Sequence, residues 1–230
     1  MRLTHQVLVF DADDTLWENN HVFERVIDDY LDWIAHPTLS VHEIRAVLLD
    51  IEAANAAAHG YGSQVFLRSL RDCFRHLRER PATTDELAAI EELAEPLLEH
   101  RVEPMAGALE TLDALGQRHR LMMLTKGNLD EQQRKIDASG LARHFRHVDI
   151  VAEKDVATYR WLTAAYGLDV TVSWMIGNSP RSDIAPARAA GLGAVYIPNA
   201  HTWALERAEV DADDPRVLQL GSLTELLEHF

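Results

Sequence analysis

The chain has 230 residues, of which 47% are hydrophobic and 26% are charged, a composition typical of a globular protein that buries a sizeable core. Its formal net charge of −15 argues against binding to nucleic acid or to an anionic membrane surface. The single cysteine, Cys73, excludes an intramolecular disulfide. No apolar run reaches membrane-spanning length and no secretory signal pattern is present, so we expect a cytoplasmic protein that does not enter a membrane.

The first predicted element is a short strand that ends in acidic residues. The apolar run at residues 7–10 is rich in β-formers, as in a central strand of a parallel sheet. Asp11, Asp13 and Asp14 follow it, then Thr15. Ligands bind beyond the carboxyl ends of such strands, and clustered carboxylates need a cation or protons, so we expect Mg²⁺ there. An exposed turn is the simpler alternative, and Asp-x-Asp also occurs in glycosyltransferase metal sites, so the cluster alone does not fix the chemistry.

The next part of the chain, up to about residue 100, is predicted to be entirely helical. Apolar residues recur at helical spacing in four successive segments. Ser40 with Glu43 and Thr83 with Glu86 form capping boxes at the starts of two of them. Four helices with short connections indicate a small bundle.

Strands and helices alternate from residue 103 onward. Strands are predicted at 120–124, 148–151, 172–176 and 193–197. The stretch 198–218 is expected to be irregular, and a final helix at 223–230 to be capped by Ser222 and Glu225. This order predicts an α/β fold, a doubly wound, Rossmann-like parallel sheet. Its core comprises 1–17 and 101–230, and the all-helical domain at 18–100 is an insertion.

Polar residues follow four of the predicted strands. In chain order they are Asp11 with Asp13, then Thr125, then Lys154, then Asn178 with Asp183. Simpler readings remain for each. Thr125 could merely cap the helix that begins after Asn128, Lys126 competes with Lys154, and Asn178 and Asp183 could only form a turn.

This ordered set resembles the haloacid dehalogenase (HAD) superfamily of hydrolases. The resemblance rests on Asp-x-Asp-x-Thr at residues 11–15, the strand-end Thr125, the later Lys154, and Gly-Asn-Ser-x-x-x-Asp at residues 177–183. The helical insertion is similar to the family's C1-type cap. The resemblance implies a phosphatase whose cap closes over the site and excludes water.

The resemblance also implies catalytic roles for the two aspartates of the first motif. Asp11 would attack phosphorus and form an aspartyl-phosphate, and Asp13 would protonate the leaving alcohol and then activate water. A halide leaves without a proton, so a dehalogenase needs no acid at position 13. The presence of Asp13 therefore favours phosphatase over dehalogenase activity.

The remaining implied roles concern the phosphoryl group. Thr125 would bind it together with the backbone N–H groups of Lys126 and Gly127. Lys154 would neutralise negative charge on the nucleophile and on the transferring group. Trp17 would line the substrate cavity, although a packing role near the insertion is an equal alternative.

Mg²⁺ would be held by Asp11, by the backbone carbonyl of Asp13, and by Asn178 and Asp183, with Asp183 acting either directly or through water. Asn178 departs from the family pattern, which usually has an acid after this glycine. We therefore expect weak Mg²⁺ binding that substrate phosphate strengthens.

The sequence thus predicts a Mg²⁺-dependent phosphatase that acts on a small phosphorylated metabolite. Phosphoryl transfer within a sugar, as in mutases of the same superfamily, is one alternative. A non-catalytic phospho-acceptor is another. The physiological substrate and the oligomeric state are not readable from the sequence.

Overall fold

The computed structural model describes residues 2–98 and 102–230. The chain divides into two compact units. One comprises residues 1–20 and 101–230, and the other comprises residues 21–100.

The second unit is built from helices. They are α1 (Asn20–Ile34, which begins at the last residue of the first unit), α2 (Val41–His59), α3 (Ser63–Arg78) and α4 (Thr84–Leu98). Both predicted capping boxes are confirmed, since the side chains of Glu43 and Glu86 accept from the backbone N–H groups of Ser40 and Thr83 at 2.8 Å. The core contains the buried Tyr30, whose hydroxyl donates to the backbone carbonyl of Leu70. Among the described helices, none is both long and apolar enough to cross a membrane.

The first unit is organised around a six-stranded parallel sheet. Its strands are β1 (Val7–Phe10), β2 (Arg120–Lys126), β3 (His147–Val151), β4 (Ser173–Gly177), β5 (Gly193–Tyr196) and β6 (Val217–Gln219), in the spatial order β3-β2-β1-β4-β5-β6. The helices α5 (Ala108–Gly116), α6 (Leu129–Ser139), α7 (Val156–Tyr166), α8 (Ala185–Ala189) and α9 (Leu226–His229) belong to the same unit. The predicted Rossmann-like α/β sheet is confirmed.

The strand order creates a switch point beside β1. The chain proceeds from β1 to β2 and β3 on one side, and from β4 to β5 and β6 on the other. In register, Phe10 of β1 lies opposite Met123 of β2 and Ile176 of β4. In doubly wound sheets the ligand crevice forms outside the carboxyl ends of the strands at this switch. Residues that follow β1 and β4 are therefore brought to the crevice.

Both faces of β1 are buried, as its apolar run predicted. Leu8 and Phe10 pack in one hydrophobic cluster with Ile176, whereas Val9 packs in a second cluster with Met122. All of these side chains are fully buried. Side chains thus pack against both faces of the central strand, and Asp11 directly follows its carboxyl end.

The carboxyl-terminal part of the chain departs from the prediction. The expected irregular stretch 198–218 contains the start of β6, in which Leu218 pairs with Val195. The expected helix 223–230 is a short helical turn followed by α9. Ser222 does not cap it, because its hydroxyl hydrogen-bonds the side chains of Thr224 and Glu225 instead of a backbone N–H.

Candidate active site

Asp11 directly follows β1 and is held on both sides of its carboxylate. Its backbone N–H donates to the carbonyl of Ile176 at 2.9 Å, which continues the β1–β4 ladder. Its Oδ2 accepts a hydrogen bond from the Thr15 hydroxyl at 3.0 Å, and its Oδ1 accepts from the Lys154 ammonium. Asp11 is 6% exposed. A nearly buried carboxylate at a sheet switch point is a candidate for chemistry.

Lys154 lies between β3 and α7 and joins two buried carboxylates. Its Nζ contacts Asp11 Oδ1 and lies 2.7 Å from Asp183 Oδ1. Burial alone lowers the pKa of Lys154, but the two negative charges outweigh burial and raise it above its ordinary value. Lys154 is therefore charged. The competing residue, Lys126, instead binds Glu206 and Ser182.

Asp183 is fixed by a helical turn that follows β4. Residues Pro180–Ile184 form a π-helical turn, a feature frequent at functional sites. Asp183 Oδ2 accepts from the backbone N–H of Ser179 at 3.0 Å, and its Oδ1 accepts from Lys154. A Cβ at Gly177 would lie 2.2 Å from Asp183 Oδ2, so only glycine leaves room for this carboxylate. Both oxygens of Asp183 thus have donors in this structure, as do both oxygens of Asp11.

Three oxygen atoms converge beside Asp11. Asn178 Oδ1 lies 3.3 Å from Asp11 Oδ2 and 3.3 Å from the backbone oxygen of Asp13. Acceptors facing one another repel unless a cation lies among them or the amide turns its nitrogen toward them. In the turned orientation the nitrogen would donate to both oxygens and Oδ1 would accept from the Thr202 hydroxyl. The arrangement of oxygens fits Mg²⁺, which takes few protein ligands and completes its shell with water and phosphate.

This donor set contains few acidic side chains. Within the described ranges, 2–98 and 102–230, no three His, Cys, Asp or Glu side chains form a metal cluster. The candidate site relies instead on one direct carboxylate, one amide and one backbone carbonyl. Substrate phosphate would supply further negative charge.

The carboxylate of Asp13 accepts hydrogen bonds from a different set of side chains than the carboxylate of Asp11. Its Oδ1 accepts from the Trp17 indole at 2.7 Å and from Lys135 at 3.1 Å. Its Oδ2 accepts from Lys135 at 2.9 Å and from Gln132 at 3.1 Å. Trp17 is only 1% exposed and its N–H is used by Asp13, so its placement favours the packing alternative over the predicted lining of a substrate cavity.

Thr125 lies at the predicted edge of the sheet, but the backbone beside it differs from expectation. Its Oγ1 accepts from Gln132 at 2.8 Å. The N–H of Gly127 donates to the carbonyl of Val151 at 3.1 Å, because β2 extends to Lys126 and the ladder with β3 continues. This N–H is therefore already used. It is not available to bind phosphate, contrary to the prediction.

Asp14 does not belong to the predicted carboxylate cluster. Its backbone has a positive φ of 59°, and its side chain accepts from the N–H groups of Asn19 and Asn20, where α1 begins. Burial raises the pKa of Asp14 to about 6, against the opposing effect of these two donors. Asp14 thus caps a helix, and of the three predicted carboxylates only Asp11 and Asp13 lie in the site.

The electrostatics of the site favour a bound cation. Burial raises the pKa of Asp11 to about 7, and the charge of Asp183 adds to this increase, while Lys154 opposes it. A nucleophilic carboxylate must be ionised. A cation at the three converging oxygens would favour the ionised form.

The family-model comparison matches residues 5–191 to haloacid dehalogenase-like hydrolases. This match spans Asp11, Asp13, Thr125, Lys154, Asn178 and Asp183. The chain belongs to this family. It is therefore a hydrolase of the HAD type, and the resemblance seen in the sequence is confirmed.

Individual relatives of this HAD-like hydrolase differ in activity. Phosphoserine phosphatase of Thermus thermophilus is 27% identical over 229 residues, which cover 84% of this chain and 88% of that protein. A haloacid dehalogenase-like hydrolase structure from Xanthomonas campestris has a TM-score of 0.80 at 28% identity, covering 96% of this chain and 92% of that one. L-2-haloacid dehalogenase from Xanthobacter autotrophicus shares the fold, with a TM-score of 0.65 at 17% identity and 97% of both chains covered. The fold thus serves both chemistries, and the side chains must distinguish them.

Sequence reasoning missed several polar residues around the site. Gln132 and Lys135 on α6 contact Asp13, and Glu206 binds Lys126 and two serines. The face of α6 that should be apolar carries Glu131, Gln132 and Lys135, all buried. Polar residues at positions of a predicted helix that should face the core were the sequence signal that could have identified Gln132 and Lys135.

Proposed function

We propose that this HAD-like hydrolase is a Mg²⁺-dependent phosphoric monoester hydrolase that forms an aspartyl-phosphate on Asp11. The main supporting observation is the pairing of Asp11 with a second carboxylate, Asp13, held by its own donors at the same edge of the sheet. A phosphomonoester needs an acid for its leaving alcohol, whereas a haloacid does not. The phosphoserine phosphatase relative supports the same choice.

In the first step, a carboxylate oxygen of Asp11 attacks phosphorus, and the bond from phosphorus to the ester oxygen breaks. Asp13 enters this step as the carboxylic acid, with the proton in place of one of the hydrogen bonds that its oxygens accept in the free protein, and gives that proton to the departing oxygen, so that an alcohol leaves. Lys154 balances the negative charge of Asp11 and of the transferring group, since its ammonium already contacts the Asp11 carboxylate. Thr125 donates its hydroxyl hydrogen to a phosphoryl oxygen.

In the second step, water attacks phosphorus of the aspartyl-phosphate. Asp13, now a carboxylate, removes a proton from this water, and the bond between phosphorus and Asp11 breaks. Inorganic phosphate leaves, and Asp11 and Asp13 return to their starting forms. The two steps replace one difficult hydrolysis by two easier displacements.

Mg²⁺ would be held by Asp11, by the backbone carbonyl of Asp13 and by Asn178, with Asp183 acting through water. The bound ion supplies positive charge that offsets the phosphoryl oxygens. Asn178 contributes an oxygen without a charge, so we propose that Mg²⁺ binds weakly until substrate phosphate is present.

The substrate would be a small phosphorylated metabolite, in keeping with the phosphoserine phosphatase relative. The predicted cap, residues 18–100, would determine which ester is accepted; it corresponds closely to the helical unit, residues 21–100. Hydrogen exchange in α1–α4 with and without a phosphate analogue tests this assignment. Unchanged exchange throughout the unit would contradict a lid function.

Rapid mixing with an aryl phosphate and Mg²⁺ tests the proposed function. We expect a burst of aryl alcohol that is stoichiometric with enzyme, or steady release of alcohol and phosphate if the second step is fast. A 2-haloacid serves as the comparison substrate. Halide release without phosphate release would show that the enzyme is a dehalogenase, and stoichiometric phosphorylation without turnover would indicate a phospho-acceptor.

A further inference from the structure

Lysine is used in this chain only around the candidate site. Of the 22 Lys and Arg residues, three are lysines, namely Lys126, Lys135 and Lys154. Their side chains are 15%, 10% and 2% exposed, so none serves as a solvated surface charge. Buried lysines are rare unless they are paired. Lys154 has a role in the proposed reaction, and Lys126 binds Glu206, which leaves Lys135 to be explained.

Every hydrogen of the Lys135 ammonium has an acceptor. Nζ lies 3.1 Å from Asp13 Oδ1, 2.9 Å from Asp13 Oδ2 and 2.8 Å from Asn19 Oδ1. Glu131, one turn earlier on α6, lies 3.9 Å away and adds an ion pair. An ammonium has three donors, so no hydrogen remains for a substrate. Lys135 therefore acts through Asp13.

Gln132, one turn before Lys135 on the same face of α6, contacts both Asp13 and Thr125. Its Nε2 lies 3.1 Å from Asp13 Oδ2 and 2.8 Å from Thr125 Oγ1. Because the Thr125 oxygen accepts from this amide, the hydroxyl hydrogen of Thr125 is directed toward another acceptor. A phosphoryl oxygen of the substrate would be such an acceptor.

We infer that Lys135 and Gln132, which we call the α6 clamp, are positioning residues that hold the Asp13 carboxylate in the orientation needed for proton transfer. This inference rests on the proposed phosphatase function. It adds two residues on a single rigid helix to the acid–base apparatus, and the Trp17 indole completes the set of donors on Asp13. Proton transfer depends steeply on the distance and direction between donor and acceptor, so a displaced Asp13 loses efficiency while remaining present.

Lys135→Met tests the inference with two esters, an alkyl phosphate and an aryl phosphate. We expect kcat/KM for the alkyl ester to fall by about 10- to 100-fold, the range associated with losing part of general acid catalysis. The aryl ester needs little protonation, and its kcat/KM should fall by less than about threefold. Lys135→Arg, which keeps the charge, should recover part of the loss.

Exposed neighbours on α6 provide matched controls. Arg134→Met removes a cation, and Gln133→Met removes an amide, from positions that face solvent. Neither should change the ratio of the two kcat/KM values. Lys135→Gln, which keeps a polar side chain, replaces Lys135→Met if that variant fails to fold. Gln132→Met should lower kcat/KM for both esters, because it also releases the Thr125 hydroxyl, and should lower that of the alkyl ester further. In an Asp13→Asn background, Lys135→Met should have no further effect on the alkyl ester.

Equal losses for both esters, or no loss in a folded variant, would overturn the inference while the proposed function stands. A wild-type protein inactive toward both esters with Mg²⁺ would overturn the proposed function and the inference together.

Discussion

Replacement of Lys154 by methionine removes the ammonium that joins Asp11 and Asp183. The side chains of Asp11 and Asp183 are 9% and 1% exposed, and the side chain of Lys154 is 2% exposed. Removing one partner of a buried ion pair costs about 3–5 kcal/mol. The loss should be smaller at pH 5, because burial raises the pKa of Asp11 to about 7 and much of its charge is already lost there.

The stability lost in Lys154→Met should depend on pH. Lys154 lowers the pKa of Asp11 in the folded state, so its removal raises that pKa further and makes stability fall as pH increases. We expect Lys154→Met to lower the free energy of unfolding of the first unit by about 3–4 kcal/mol at pH 7 and by less than about 2 kcal/mol at pH 5.

Native-state hydrogen exchange of β1 and β4 amides, with a chelator present, measures this change in the first unit separately from the helical unit. Arg160→Met, at an exposed position on α7, is the control and should lose little. A loss below about 1 kcal/mol at pH 7, or equal losses at the two pH values, would refute this reasoning.

Three further predictions concern neighbouring positions. Asn178→Asp should tighten Mg²⁺ binding without substrate by roughly tenfold, because it adds a charge near the ion; calorimetry measures this, and unchanged affinity would exclude Asn178 from direct ligation. Gly177→Ala should reduce kcat by about 100-fold with unchanged circular dichroism, because the new Cβ displaces Asp183; wild-type turnover would contradict the crowding at this position. Asp14 has a folded-state pKa raised to about 6, so it should cost the wild type about 2.5 kcal/mol of stability as pH rises from 4 to 7. Asp14→Asn should remove this decline, and identical pH profiles in urea unfolding would contradict the assignment.

The sheet and the position of the site followed from short-range patterns. The run Val7–Phe10 is apolar throughout because β1 is buried on both faces. In a parallel sheet the residues after each strand meet at one edge, so Asp11, Lys154 and Asp183 could be grouped without knowing any distance. The burial of a strand and the edge of the sheet at which it ends are both visible in short stretches of sequence, so both could be predicted.

The predictions were wrong where one local sequence is compatible with two structures and a tertiary contact selects between them. β2 extends to Lys126, beyond the predicted end at 124, and the extra pairing engages the N–H of Gly127. β6 has only three residues and becomes a strand by pairing with β5. Asp14 is adjacent to Asp13 in sequence, but its positive φ turns it toward the start of α1. Nothing in the local sequence specifies which of these partners is available.

The most direct test of the central claim is identification of the phosphorylated residue by mass spectrometry. The enzyme would be mixed with an aryl phosphate and Mg²⁺, quenched in acid during turnover and digested at low pH. We predict a phosphate on the peptide that contains Asp11, absent when Asp11→Asn is treated in the same way. Phosphate on a different residue, or undiminished phosphatase activity in a folded Asp11→Asn protein, would contradict covalent catalysis by Asp11.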